Sequence, residues 1–180
     1  PRLPAGGPGG GQWTDGGGAN SVAGGSSNDR LDRPVNEYRV DLETQDRDFG
    51  GHTIRDHVNK SDQYLLDYVR DRTYSGEVYT YGQQREGTFL STQDAHYFVN
   101  ECLARNRDKI DALLEGGVSI VLFDTRFGFS TGKEAYRLDA DAEPYIRPTY
   151  AVRVVVKRDD RSPGGFKVFS AFPINEEPKR

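Results

Sequence analysis

The sequence has no methionine and only one cysteine, Cys102. A single cysteine cannot form an intrachain disulfide, which excludes a small secreted fold held together by disulfides. It also excludes a zinc site built from several thiolates. Because methionine is missing at position 1 and everywhere else, we expect the chain to be a piece of a longer protein.

Long hydrophobic runs and a strong excess of one charge are also lacking. No apolar run approaches the roughly 18–20 residues that span a bilayer, which excludes a transmembrane helix and predicts no membrane partner. The formal net charge of −4 excludes a uniformly basic chain that coats nucleic acid. The lysines and arginines beyond residue 50 could still form a local basic patch.

Glycine, by contrast, is abundant at the start of the chain. Ten of the 21 glycines lie between Gly6 and Gly25, where Trp13 is the one aromatic residue. Ordering so many glycines costs entropy that this segment cannot recover by packing. We therefore predict a disordered Gly-rich linker over residues 1–34 and a folded domain over residues 35–180. The alternative is an ordered arm anchored by Trp13.

Apolar periodicity predicts helices in the first half of the domain. Helices are expected at residues 52–59, from the N-cap Ser61 to about Arg72, and from Ser91 to the Gly116-Gly117 pair. Residues 36–48 fit a short strand or a turn, and residues 73–88 fit a loop or a weak strand.

Strands are predicted in the second half. Residues 118–125 fit a buried strand, and residues 149–159 and 166–173 fit a hairpin that turns at Pro163-Gly164-Gly165. Helices followed by antiparallel strands predict an α+β fold, with N-terminal helices and a C-terminal antiparallel sheet.

Two of the three histidines, His52 and His57, lie five positions apart. Within one helix they would point about 140° apart, so a shared metal is disfavoured unless the helix begins between them. Each histidine fits either a structural role or general acid/base catalysis. For His96 we expect a structural or surface role. No metal and no cofactor is predicted, since Asp139 and Asp141 lack the rest of a calcium loop.

Three segments, taken in order, resemble a known family. They are GGHTIRDHVNKSDQYLL, GTFLSTQDAHYFVNECLARNRDKIDALL and YAVRVVVKRDDRSPGGFKVFSAFPI. Over about residues 42–175 the chain resembles the ribonuclease A-like toxin domain found at the C-termini of bacterial contact-dependent inhibition proteins and other polymorphic toxins. The first segment is the most specific, since it is similar to the family pattern GGHT-x-x-x-HVGKS-x-x-x-L.

This resemblance implies a fold like that of pancreatic ribonuclease but without disulfides. It implies a toxin that is a metal-independent endoribonuclease, cleaving RNA by 2′-OH attack with histidine acid/base catalysis. It also implies delivery by a larger secreted or cell-surface carrier and action in the target-cell cytoplasm. The expected partners are an RNA substrate, with tRNA as a candidate, and a cognate immunity protein.

The functional positions of the family are only partly matched here. The family histidine falls on His57, and the Thr and Tyr of its terminal strand fall on Ser170 and Phe172. The family arginine falls on or near Tyr68, and Arg70 is the nearest arginine.

The predicted site follows from these matches and from the chemistry of the residues. His57 is the expected base or acid, His52 is a second proton carrier, and Ser170 would bond a phosphate oxygen. The predicted catalytic residues are His57, Ser170, Arg70, His52 and Phe172, and the predicted RNA-binding residues are Lys60, Arg72 and Tyr68. Arg70 or Lys60 would supply positive charge.

Two functions remain open at this point. The intact histidine segment and the Gly-rich tail favour an RNA-cleaving toxin. The missing arginine and tyrosine, and Asn59 in place of a family glycine, leave room for a degenerate module of the same fold. Such a module would bind RNA or a protein without catalysis.

Overall fold

The computed structural model describes residues 34–75, 80–82, 84–139 and 141–175. Apart from Pro34, the predicted linker lies outside these residues. A short 3₁₀ turn at Val35–Tyr38 precedes the helices, which are α1 (Leu42–Phe49), α2 (Thr53–His57), α3 (Asp62–Asp71), α4 (Thr92–Arg105) and α5 (Arg107–Leu114). No helix among the described residues is long and apolar enough to cross a membrane.

The strands of the described residues form three antiparallel sheets. The strands are β1 (Thr73–Ser75), β2 (Thr80–Gly82), β3 (Arg85–Thr88), β4 (Ile120–Arg126), β5 (Gly132–Tyr136), β6 (Tyr145–Thr149), β7 (Ala151–Arg158) and β8 (Phe166–Ile174). They are ordered β1-β2, β3-β5-β6 and β4-β7-β8. The predicted α+β fold, with N-terminal helices, a C-terminal antiparallel sheet and no disulfide, is confirmed.

The prediction of a short strand or turn at residues 36–48 holds only for the 3₁₀ turn at Val35–Tyr38, because helix α1 forms from Leu42 onward. The carboxylate of Asp41 caps α1 by accepting a hydrogen bond from the Thr44 backbone amide at 2.7 Å. Gly50 ends the helix with a φ of 70°, a left-handed conformation that glycine adopts without strain. Local capping therefore decides the structure of a segment that is too polar to show a clear apolar period.

A single long helix is predicted after Ser91, but the structure has two helices there, because the helix is interrupted at Asn106. The Asn106 side-chain amide donates to the Cys102 carbonyl oxygen at 2.9 Å and to the Thr125 hydroxyl at 3.0 Å. Asparagine side chains compete in this way with the backbone bonds of a continuing helix. Apolar residues keep their spacing across the break, so periodicity alone cannot reveal it.

No strand is predicted for residues 127–148, yet β5 and β6 form there. The centre of β5 is Glu134, which is fully buried and accepts a hydrogen bond from Arg147 of β6 at 2.7 Å. A buried ion pair replaces the apolar residue that an inward position normally carries. The alternation of apolar and polar residues that marks a strand is therefore hidden.

The larger apolar core lies against one face of the β4-β7-β8 sheet. Val152, Val154 and Val156 of β7 are fully buried on this face, where α4 and α5 pack. The prediction of a buried strand at residues 118–125 holds for one face only. Ile120 and Leu122 of β4 are 48% and 54% exposed.

The opposite face of this sheet is only partly covered, and we call it the outer face. On β7, the residues of the outer face alternate with the core residues, and on β4 and β8 they are the cross-strand neighbours of those β7 residues. The members of the outer face are Leu122, Asp124, Arg153, Val155, Lys157, Ser170 and Phe172. The ladder joins Leu122 to Val155 and Val155 to Ser170, and cross-strand partners project to the same face. A β-bulge at Val155/Val156 leaves Phe169 without a partner on β7.

Candidate active site

His57 ends α2, and its backbone is tied to the residue that follows β3. The Phe89 amide donates to the His57 carbonyl oxygen at 2.9 Å, and the Asn59 amide donates to the Phe89 carbonyl oxygen at 2.9 Å. Asn59 has a φ of 54°, a left-handed conformation that asparagine tolerates better than most residues. Asparagine can therefore stand where the family pattern has glycine, and the position of His57 is fixed relative to β3.

The ring of His57 faces two acceptors from β3. Its Nδ1 lies 3.1 Å from Glu86 Oε1 and 3.3 Å from the Gly87 carbonyl oxygen. Two acceptors at Nδ1 favour the tautomer in which that nitrogen carries the proton, which leaves Nε2 for another partner. His57 is 8% exposed, and Glu86 is buried too. A buried carboxylate thus orients the imidazole.

Strand β3 lies directly against the end of β8. A Cβ atom at Gly87 would collide with the carbonyl oxygen of Pro173, so only glycine permits this approach. Phe172 precedes that proline, and its ring packs against His57 with the ring centres 5.0 Å apart. The close contact of the two strands therefore brings His57, Glu86 and Phe172 together.

His52 lies next to His57 because α2 begins at Thr53, between the two histidines. The condition under which the two histidines need not point apart, a helix that begins between them, is therefore met, and the ring centres are 6.1 Å apart. The His52 ring also meets the Phe169 ring edge-on at 4.7 Å. Burial and the neighbouring His57 lower the pKa of His52 below its usual value, so the ring is neutral at pH 7.

Ser170 lies between the two phenylalanines that contact the histidines. Phe169 contacts His52, and Phe172 contacts His57. In β8, Ser170 directly follows Phe169, and one residue separates Ser170 from Phe172. Ser170 is buried in the outer face, and its hydroxyl has no hydrogen-bond partner among the described residues. The hydroxyl is thus available to a bound ligand.

Arg70, the predicted catalytic arginine, contacts carboxylates near α3. Its Nη1 lies 2.9 Å from Asp67, and its Nη2 lies 3.5 Å from Glu143 in the loop before β6. Ion pairs between exposed side chains contribute about 0–1 kcal/mol, so these contacts hold the arginine weakly.

The predicted RNA-binding residues lie at the two ends of α3. The Lys60 amide donates to the Thr88 hydroxyl at 3.0 Å, and its ammonium donates to the Arg55 carbonyl oxygen at 2.6 Å. The guanidinium of Arg72 stacks on the Tyr68 ring at 4.0 Å. Positive charge beside an aromatic face is the combination that binds single-stranded nucleic acid.

Comparison with known families gives a match that covers this site. Residues 51–173 match the family described as the bacterial CdiA-CT RNAse A domain. The chain belongs to this family. CdiA-CT domains are the C-terminal toxin parts of contact-dependent inhibition proteins, so the ribonuclease A-like toxin resemblance in the sequence is confirmed.

A solved structure has a similar fold to this CdiA-CT RNase A domain. It is the crystal structure of a CdiA-CT/CdiI complex from Y. kristensenii, and its matching chain is 22% identical in sequence to this one. The match covers 66% of this chain and 94% of that chain, with a TM-score of 0.52. Comparison with curated proteins gives no match.

Sequence reasoning misses Glu86 and Phe169, which contact the histidines of this CdiA-CT RNase A domain, and it places Lys157 only in a possible basic patch. Glu86 lies in a segment predicted as a loop or weak strand, and its one signal is the adjacent Gly87. Lys157 and Phe169 meet across β7 and β8, with the Lys157 Nζ 3.2 Å from the Phe169 ring centre. The β-bulge that leaves Phe169 unpaired has no signature in the sequence.

Two other groups with reactive or metal-binding atoms have no part in this site. Cys102 is fully buried, and burial raises the pKa of its thiol to about 12, so it carries no thiolate at neutral pH. Among the described residues, Asp41, Glu43 and His96 bring one ligand atom each within 4.8 Å of one another. Asp41 already caps α1, and we assign this trio no function.

Proposed function

We propose that this domain is a metal-independent endoribonuclease that cleaves RNA by attack of a 2′-hydroxyl on the adjacent phosphorus. The observation that carries the proposal is the pair of histidines, His52 and His57, whose ring centres are 6.1 Å apart and which contact residues on either side of Ser170 in β8. Membership of an RNase A-like toxin family supports ribonuclease activity in general. The roles of single residues follow from their surroundings.

His52 is the proposed general base. A base must be unprotonated before the reaction, and the lowered pKa of His52 keeps its ring neutral at pH 7. The ring takes the proton of the 2′-hydroxyl as the 2′-oxygen bonds to phosphorus. RNA carries this hydroxyl and DNA does not, so the reaction is specific to RNA.

His57 is the proposed general acid. The Glu86 carboxylate, 3.1 Å from Nδ1, compensates the positive charge of a doubly protonated ring. Nε2 gives its proton to the 5′-oxygen as the bond from that oxygen to phosphorus breaks. The products are a 2′,3′-cyclic phosphate and a 5′-hydroxyl, His52 is left protonated and His57 neutral, and exchange with water restores both.

The remaining predicted residues assist in this proposal. The Ser170 hydroxyl donates a hydrogen bond to a nonbridging phosphate oxygen, and the Phe172 ring holds His57 in place. Lys60, Arg72 and Tyr68 bind the strand beside the reacting phosphate through charge and stacking. Arg70 adds positive charge once its exposed ion pairs rearrange.

The experiment is incubation of the purified domain with total RNA in EDTA. We expect the wild type to cleave RNA, and His57→Ala to lower the rate about 100–10,000-fold, which is the usual contribution of a proton carrier. His96→Ala is the matched control, because His96 lies on α4 and contacts neither His52 nor His57, and it should cleave like the wild type. Equal rates for wild type and His57→Ala would overturn the proposal.

A degenerate module that binds RNA or a protein is the second candidate. Two observations favour it: Phe172 carries no hydroxyl, and Arg70 contacts carboxylates rather than the histidines. If the wild type binds RNA but yields no cleavage products in EDTA, this candidate replaces the first.

We further propose that a larger carrier delivers the domain and that it acts in the cytoplasm of a target cell. A dedicated immunity protein would protect the producing cell, and the similar structure was solved as a CdiA-CT/CdiI complex. This partner is expected to be acidic or to cover the outer face near His57, because covering a cationic phosphate site blocks substrate. Expression of the wild-type domain alone should therefore arrest its host, and co-expression of the cognate partner should restore growth. Harmless expression without the partner would contradict the toxin role.

A further inference from the structure

Lys157 places a positive charge on the aromatic ring that contacts His52. Its Nζ lies 3.2 Å from the centre of the Phe169 ring, and that ring meets the His52 ring at 4.7 Å. The distance from the ammonium to the His52 ring centre therefore cannot exceed the sum of these two distances. One aromatic ring separates the cation from the proposed base.

The same lysine belongs to the outer face that carries Ser170. Lys157 and Val155 alternate with core residues of β7, and Val155 is the cross-strand partner of Ser170. Lys157 and Ser170 therefore lie on the same face of the sheet, and the Phe169 ring joins Lys157 to His52. A phosphate held by the Ser170 hydroxyl would lie within reach of a flexible lysine side chain.

Lys157 also differs from its basic neighbours in having no acidic partner. Arg153, two residues earlier, makes two hydrogen bonds of 2.8 Å to Asp124. Lys167, its cross-strand partner, lies 3.2 Å from Asp159. Within the part of the chain that the structure describes, the Lys157 ammonium has neither a hydrogen bond nor an ion pair. An ammonium that contacts only an aromatic face retains its charge for an anion.

We infer that Lys157 is a catalytic residue that binds the reacting phosphate and stabilises the negative charge that develops on its nonbridging oxygens. This inference rests on the proposed ribonuclease function. It supplies a cation without an acidic partner, whereas the family arginine falls on or near Tyr68 and Arg70 contacts carboxylates. A preorganised cation in a partly buried site stabilises such charge more strongly than water does.

The test compares four proteins on one RNA oligonucleotide in EDTA: wild type, Lys157→Gln, Lys157→Arg and Lys109→Gln. Lys109 is the matched control because its Nζ also lies over a phenylalanine ring, 5.4 Å from the centre of Phe123, but on α5. We expect Lys157→Gln to lower kcat/KM about 100–1,000-fold, mainly through kcat, as loss of one preorganised donor does. Lys157→Arg should recover most of this loss, and Lys109→Gln should equal the wild type.

A second measurement separates catalysis from binding and from folding. The Kd for the same oligonucleotide with 2′-deoxyribose at the cleavage site should change less than about fivefold in Lys157→Gln, since one phosphate contact contributes little to total affinity. The thermal melting of each variant is recorded alongside. Suppose that the wild type cleaves RNA but Lys157→Gln keeps the wild-type kcat, or that Lys157→Arg does not recover the lost activity. Either result would overturn the inference and leave the proposed function standing. An inactive wild type would overturn both.

Discussion

At the scale of single residues, the two histidines differ in what surrounds their rings. Burial and the neighbouring His57 imidazole disfavour the charged form of His52 and lower its pKa. His57 faces the carboxylate of Glu86, which favours a proton on Nδ1. The two rings therefore have different surroundings, with a lowered pKa for His52 and a carboxylate partner for His57, as a site that holds a base and an acid requires.

The lowered pKa of His52 predicts a particular pH dependence of the rate. Because the base must be neutral, kcat/KM should rise with pH through the His52 pKa, with the midpoint of this rise below the usual imidazole value of about 6.5. His52→Asn should lower the rate about 100–10,000-fold and abolish this limb of the profile. An acid limb centred above the usual value, or one that persists in His52→Asn, would contradict the role of His52 as base.

The same shift affects the stability of the fold, with a defined sign. A folded-state pKa below the unfolded one means that the unfolded chain binds more protons as the pH falls. The contribution of His52 to the free energy of unfolding is therefore complete above the unfolded pKa and is lost as the pH falls through the folded one. The rate and the stability should both decline on the acid side.

Single residues could be predicted only where family likeness or chemistry marks them. His57, Ser170 and Phe172 are found from the resemblance of their segments, and His52 from its imidazole. Glu86 and Lys157 carry no such mark. Their neighbours are set by the contact of β3 with β8 and by a β-bulge, and both are properties of the assembled sheets.

At the scale of elements, the site depends on how closely β3 approaches β8. Gly87→Ala would place a methyl group against the Pro173 carbonyl oxygen, and neither backbone can yield without moving. We expect this change to lower the free energy of unfolding by about 1–3 kcal/mol, as overpacking of a close contact does. It should also reduce cleavage, because Glu86 would shift away from His57.

Gly117→Ala is the matched control for this change, since a Cβ atom there meets nothing within 4 Å. Its free energy of unfolding should stay within about 0.5 kcal/mol of the wild type, the usual range for open surface positions. Urea unfolding of the three proteins gives the comparison. Equal midpoints for Gly87→Ala and Gly117→Ala would show that the approach of β3 to β8 is not tight.

Elements with strong local signals could be predicted, and those shaped by buried polar contacts could not. The N-cap Ser61 marks the start of α3, and Val-rich alternation marks β7. The break at Asn106 depends on a side-chain bond to Thr125, which lies 19 residues away in the chain. Likewise, β5 depends on the buried Glu134, whose arginine partners come from neighbouring strands.

At the scale of the whole molecule, one sheet serves two purposes. Its inner face packs on α4 and α5 and supplies most of the larger apolar core, while its outer face carries Ser170, Phe172 and Lys157. A rigid sheet holds catalytic groups more firmly than loops do. The α2 segment then needs only its contacts with β3 and β8 to bring both histidines to that face.

In the proposed reaction the 2′-hydroxyl of RNA is the nucleophile, and a single substitution in the substrate tests this role. An RNA oligonucleotide with one cleavage site is compared in EDTA with the same oligonucleotide carrying 2′-deoxyribose at that site. We predict that the first is cut to a 2′,3′-cyclic phosphate and a 5′-hydroxyl end, and that the second is bound but stays intact. Cleavage of the deoxy-substituted site at an equal rate, or products with a 5′-phosphate, would contradict the account.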